Sequence, residues 1–160
     1  MHAGMRIRPA DPHEGERFRE IAEAAKRYWG YDAGWVREWA AHGDFSPEAI
    51  RAKDVFVAEV EGRAIAFVAL ISNGDVCFLD DLWVEPPWIG RGIGSRLFRF
   101  AVERARELGA KRLEWEAEPH AVGFYEKLGG VWLRDNPPNA WGRVVPVMGI
   151  TLTPPLISRP

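Results

Sequence analysis

The chain has 160 residues, enough for one well-packed core and too few for two ordinary domains. Its 47% hydrophobic and 28% charged residues describe a globular protein rather than a disordered one. A formal net charge of -2 gives no overall attraction to nucleic acid or to an anionic membrane, and no apolar run reaches the roughly 18 residues a membrane span needs. The single cysteine, Cys77, excludes an intramolecular disulfide and a cysteine-based metal site, and its apolar neighbours fit a buried thiol. Residues 1–10 hold no apolar segment of signal-peptide length, so the cytoplasm is the expected location.

Residues 5–8 read as a short strand, stopped by Pro9. Asp11, Pro12 and Glu14 form a helix start: a capping aspartate, a proline at the first helical position and a glutamate that completes a capping box. Phe18, Ile21, Ala22, Ala25, Tyr28 and Trp29 then recur at helical spacing until Gly30. A second helix is expected over 33–41, with Trp35, Val36, Trp39 and Ala40 on one side, and Ser46-Pro47-Glu48 opens a short third turn. From Asp54 the period changes to that of strands over 55–60, 63–71 and 75–84, separated by Glu61-Gly62 and Asn73-Gly74 and predicted to form an antiparallel meander. A helix follows over 91–108, closed by Gly109, then an alternating strand over 113–117. A short helix over 120–128 and strands over 131–134 and 144–152 complete the order. The strand–helix–strand unit over 75–117 predicts one right-handed parallel crossover in an otherwise antiparallel sheet, an α+β sandwich. One domain over 1–152 and a Pro-rich tail over 153–160 are expected.

Ile89-Gly90-Arg91-Gly92-Ile93-Gly94-Ser95 lies between a strand and a helix. Glycines there let the backbone approach a ligand, the N–H groups of a helix start favour an anion, and Arg91 and Ser95 add donors. A phosphate or pyrophosphate is the chemical expectation, with a plain tight turn as the alternative. The Walker pattern is absent, and the dinucleotide fingerprint fails because Ser95 stands where its third glycine belongs.

The run from Leu82-Trp83-Val84-Glu85-Pro86 to Gly90-Arg91-Gly92-Ile93-Gly94 resembles the acyl-CoA-binding motif of the GNAT superfamily of N-acetyltransferases. Phe124-Tyr125-Glu126-Lys127-Leu128-Gly129 looks like the second common motif of that family. The resemblance implies the GNAT fold: a mixed, mostly antiparallel sheet of about seven strands with a splayed parallel pair, the fourth and fifth, and about four helices. It also implies acetyl-CoA as co-substrate. Its phosphates would lie on the loop from Ile89 to Ser95, its pantetheine arm along Leu82, Trp83 and Val84, with His120 and Tyr125 as further contacts. Departures are Ile89 where Gln or Arg is usual, Glu118 or His120 where Asn is usual, and Gly130 in place of an aromatic.

By the same resemblance an amine attacks the thioester directly, with no covalent enzyme intermediate. Tyr125 matches the usual tyrosine acid, with a core tyrosine as the alternative. Asp80 and Asp81 are the carboxylates for the base, on opposite faces of one strand. Asp80 matches an acidic residue of polyamine-type relatives, with a solvated or ion-paired side chain as its alternative; Glu85 and Glu116 stand in reserve, and a water chain with no dedicated base is the other route. The aromatics Tyr28, Trp29, Tyr31, Trp35 and Trp39 lie where relatives place the acceptor-binding helices, and could wall in a cationic or apolar amine or pack the helices. The expected partner is a small-molecule amine ahead of a protein acceptor, with no metal; a homodimer is allowed. A non-catalytic acyl-CoA-binding module is the competing reading.

Overall fold

In a computed structural model of the chain, residues 4–152 are described. The order is β1 (Met5–Pro9), α1 (Gly15–Tyr28), α2 (Ala33–His42), α3 (Pro47–Ala52), β2 (Asp54–Val60), β3 (Arg63–Asn73), β4 (Val76–Val84), α4 (Ile93–Glu107), β5 (Arg112–Glu116), α5 (Val122–Lys127), β6 (Val131–Asp135) and β7 (Pro146–Thr151). The seven strands form one sheet in the order β1-β2-β3-β4-β5-β7-β6. The expected α+β fold with a mixed sheet is therefore present, including the parallel pairing of β4 with β5 through Val76–Phe78 and Arg112–Glu114. β4 then continues to Val84. The third helical turn expected at Ser46 is a full six-residue helix, α3, because Ser46 caps it by accepting from the Ala49 N–H. The chain divides into two compact units: residues up to Ala69 with Asp81–Arg99, and Leu70–Asp80 with residues from Phe100 on.

In the first unit the apolar stripe of α1 makes the core. Phe18, Ile21 and Ala22 pack with Ile50, Val55, Val57, Ala64, Phe67 and Ala69. Phe18 and Phe67 stack at 4.5 Å. The β2–β3 turn puts Glu61 at φ 50 and Gly62 at φ 77, the double positive φ of a type I′ hairpin turn. Gly15, the first residue of α1, is buried for a different reason. A Cβ there would overlap the Phe45 carbonyl oxygen and stand 3.3 Å from Phe45 Cβ. Gly15→Ala should therefore lose about 2 kcal/mol of stability, as an overpacked site does. A thermal midpoint equal to that of the parent would refute the close approach.

The capping box at Asp11 forms as expected: the His13 N–H donates to the Asp11 carboxylate, and the Asp11 N–H donates to Glu14 Oε1 at 2.8 Å. Arg8 makes two 2.9 Å hydrogen bonds to Glu14 and one of 2.8 Å to Glu59, joining β1, β2 and the helix entry. These bonds from Arg8 are the first cause that holds the Glu14 carboxyl below the ordinary glutamate range; partial burial opposes them, and the Asp11 N–H adds to them. A depressed carboxyl binds its proton less tightly folded than unfolded. Its stabilisation is thus complete above the ordinary glutamate range and lost as pH falls through the lower folded value. Arg8→Ala should lower stability at pH near neutral and flatten the loss on acidification. Urea midpoints across that range measure it, and a slope unchanged from the parent would assign the acid sensitivity elsewhere.

In the second unit Leu113, Trp115, Val147 and Met148 are buried along β5 and β7, which pair antiparallel. Glu114 is buried on β5 and accepts from Arg112 at 3.1 Å and Arg134 at 3.0 Å. Its antiparallel partner is Gly149, where a Cβ would stand 2.7 Å from Leu133 Cδ1. The missing side chain at 149 leaves that space to Leu133. Cys77 is fully buried, as its apolar neighbours implied.

Candidate active site

The glycine loop begins where β4 ends, and that end is pinned. The Glu85 N–H donates to Ile65 O at 2.9 Å, and its carboxylate accepts from Arg17 at 2.7 Å and Arg63 at 3.3 Å. Arg17 also donates twice to Ala64 O, at 3.0 and 2.8 Å. Glu85, a reserve for the base, is thus committed to two arginines. A 3-10 turn over Pro86–Trp88 follows. Gly90 and Gly92 both take φ +82, a conformation side chains resist, and a Cβ on either would meet nothing within 4 Å. The helix consequently starts at Ile93, two residues later than the expected Arg91, and its first bond is Arg96 N–H to Gly92 O at 3.1 Å. The N–H groups of Ile93, Gly94 and Ser95 precede the intrahelical ladder, at the positive end of a 15-residue helix. Arg91 lies with its guanidinium 5.0 Å over the Trp88 ring. Open space, the N–H groups of a helix start and a nearby guanidinium suit an anion such as a pyrophosphate.

Upstream on β4, Asp81 and Trp83 share a face, and Trp83 Nε1 donates to Asp81 Oδ1 at 3.0 Å. Leu82 and Val84 alternate to the other face of β4. Asp80 is exposed while Asp81 is half-buried, so the two carboxylates have different surroundings, as strand alternation predicts.

The expected acceptor aromatics separate into two groups. Tyr28 and Trp29 are 54% and 37% exposed at the end of α1, edge to face with each other at 5.0 Å. Tyr31 and Trp35 stack at 5.0 Å, and Trp39 meets Trp83 edge to face at 5.4 Å. These four rings surround a residue that sequence reading overlooked, Lys26. Its Nζ is 4.9 Å from the Tyr31 ring, 5.7 Å from Trp35, 4.9 Å from Trp39 and 5.6 Å from Trp83. Lys26 is only 6% exposed. A signal was available, because position 26 falls four after Ala22 on the apolar stripe of α1.

In the second unit Tyr125 is 7% exposed. Its ring lies 4.9 Å from Trp115 and 5.1 Å from Phe124. A Cβ on Gly130 would stand 2.8 Å from Trp115 Cζ2 and 3.0 Å from Tyr125 O, so the glycine that replaces a common aromatic is required by this packing. His120 Nδ1 is 2.9 Å from Glu118 Oε1, which orients the imidazole beside α5. Glu116 is exposed on β5. Among the described residues no three His, Cys, Asp or Glu side chains gather into a metal-binding group, and no helix is long and apolar enough to cross a membrane.

A sequence model described as the acetyltransferase (GNAT) family matches residues 16–130. An uncharacterised N-acetyltransferase of Archaeoglobus fulgidus is 33% identical over 119 residues, 69% of this chain and 80% of that protein. One from Methanocaldococcus jannaschii is 30% identical over 123 residues, 65% of this chain. The match spans about half, 51%, of that relative's own length. Among solved structures, a GCN5-related N-acetyltransferase from Rhodopseudomonas palustris superimposes with a TM-score of 0.80 at 24% identity, covering 95% of this chain and 98% of its own. The PaiA N-acetyltransferase from Thermoplasma acidophilum, solved in complex with coenzyme A, has a TM-score of 0.77 at 16% identity over 92% of this chain and 98% of its own.

Proposed function

The chain belongs to the acetyltransferase (GNAT) family, and from that premise we propose that it moves an acetyl group from acetyl-CoA to a primary amine of a small molecule. The observation that carries the reading is the pair of φ +82 glycines, each with open space where a side chain would stand, leading directly into the first turn of α4. Gly90 to Ser95 would hold the pyrophosphate by backbone N–H groups, with Arg91 adding a charged donor. Ile89 in place of Gln or Arg then costs little, because the backbone supplies those contacts. Leu82 to Val84 would offer main-chain groups to the pantetheine arm, as a strand edge does for an added peptide.

Acetyl-CoA supplies a thioester that an uncharged amine can attack; the new bond is N–C, the broken bond C–S. Three proton movements remain for the chain to manage. A carboxylate of the Asp80–Asp81 pair takes the proton from the acceptor ammonium, the Tyr125 hydroxyl gives one to the departing thiolate, and the proton that the attacking nitrogen sheds as the intermediate collapses restores the tyrosine hydroxyl. A backbone N–H of β4 facing the thioester carbonyl stabilises the oxyanion that develops there.

The test is thiol release from acetyl-CoA over a panel of primary amines, with thermal shifts measured for CoA, ATP and NAD. Stabilisation by CoA alone among the three and thiol release with at least one amine are expected. Tight CoA binding with no release on any amine would replace the enzyme with an acyl-CoA-binding module.

A further inference from the structure

The four rings around Lys26 come from three places: Tyr31 from the link between α1 and α2, Trp35 and Trp39 from α2, and Trp83 from β4. A long cationic side chain on a surface helix normally carries its head into water, as the exposed Arg27 beside it does. Lys26 instead keeps its ammonium among aromatic faces and is 6% exposed. Several tyrosine and tryptophan faces within about 6 Å of one ammonium make the environment that selects alkylammonium ligands. We propose that these rings form a cation-binding box whose resident occupant is Lys26, and that Lys26 is thereby a specificity-determining residue that steers the enzyme to acceptors without a second positive charge.

The specificity role of Lys26 rests on the acetyltransferase reading above; the box does not. Trp83 is a wall of the box and also the middle residue of the Leu82–Val84 segment assigned to the thioester arm. An acceptor approaching that segment therefore meets aromatic walls already filled by a tethered ammonium. A diamine whose far end needed those walls finds the place taken. A monoamine has no such need.

Two measurements separate the parts. Lys26→Ala should empty the box, and propylammonium should then raise its thermal midpoint by more than 1-propanol does, while the parent responds to neither. Lys26→Met keeps the apolar stem without the charge, fills the space, and should show no such rescue. If Lys26→Ala folds only with additive present, refolding in propylammonium against propanol gives the same reading. Equal rescue by the alcohol, or no rescue by either, would overturn the box. On the catalytic side, the kcat/KM ratio of 1,4-diaminobutane to butylamine should rise about tenfold in Lys26→Ala, the scale of one partly desolvated cation–π contact. An unchanged ratio in an active variant would remove Lys26 from specificity. A parent that binds CoA yet turns over no amine of the panel would refute the enzyme reading, and the additive experiment would still decide the box.

Discussion

Gly92→Val should lower affinity for CoA about a hundredfold, while Gly62→Val, matched to it in backbone strain, leaves that affinity unchanged. Gly92 has φ +82 and Gly62 has φ +77, and a Cβ at either meets nothing within 4 Å. Both valines thus force a β-branched side chain into the left-handed region, at a cost of about 1–3 kcal/mol. The surroundings differ. Position 62 belongs to a hairpin turn, whereas position 92 immediately precedes α4 and its carbonyl accepts from the Arg96 N–H. A side chain there would displace an anion and pull the backbone out of the conformation that aims those N–H groups. Calorimetric titration of CoA into both variants, each corrected for its own thermal midpoint, makes the comparison. Equal affinities in the two would show that the loop does not hold the cofactor's phosphates.

The parts of this fold that sequence made visible are those whose cause lies within a few residues. Asp11, Pro12 and Glu14 announce a capping box because each acts on backbone groups within three positions, and the box forms. Glu61-Gly62 marks a turn for the same local reason. α4 starts two residues after the expected Arg91 because the helical pattern of the sequence runs back over Arg91, while the positive φ of Gly92 stops the helix itself. What escaped depends on groups far apart in the chain. Gly15 is dictated by Phe45, thirty positions away, and Gly149 by Leu133 on a neighbouring strand. Lys26 was passed over because a lysine on a helix reads as solvated unless the rings that cover it are known, and one of them lies on β4. The aromatic residues stand out by type; which way they face, and that Lys26 sets its ammonium against Tyr31, Trp35 and Trp39 of that group and against Trp83, depends on the fold.

Tyr125→Phe should reduce kcat by about a hundredfold or more, the contribution expected of a positioned general acid, with CoA affinity and thermal midpoint close to those of the parent. The packing makes this substitution discriminating. Tyr125 is 7% exposed, and its ring is held by Trp115 at 4.9 Å and Phe124 at 5.1 Å. Phenylalanine preserves the ring and every contact made by it, so only the hydroxyl is tested. Alanine at the same place would vacate the space beside Trp115 and cost about 3–5 kcal/mol, confusing lost packing with lost chemistry. The division between kcat and CoA binding carries the decision. A tyrosine that serves the core alone loses one hydroxyl on mutation and should leave turnover within a factor of a few. A tyrosine that protonates the leaving thiolate affects a step that comes after both substrates are bound, so the loss falls on kcat. Thiols of lower pKa leave without help from an acid. A truncated thioester with a more acidic leaving thiol should therefore narrow the gap between parent and variant, whereas a gap of the same size on both thioesters would return Tyr125 to a purely structural role.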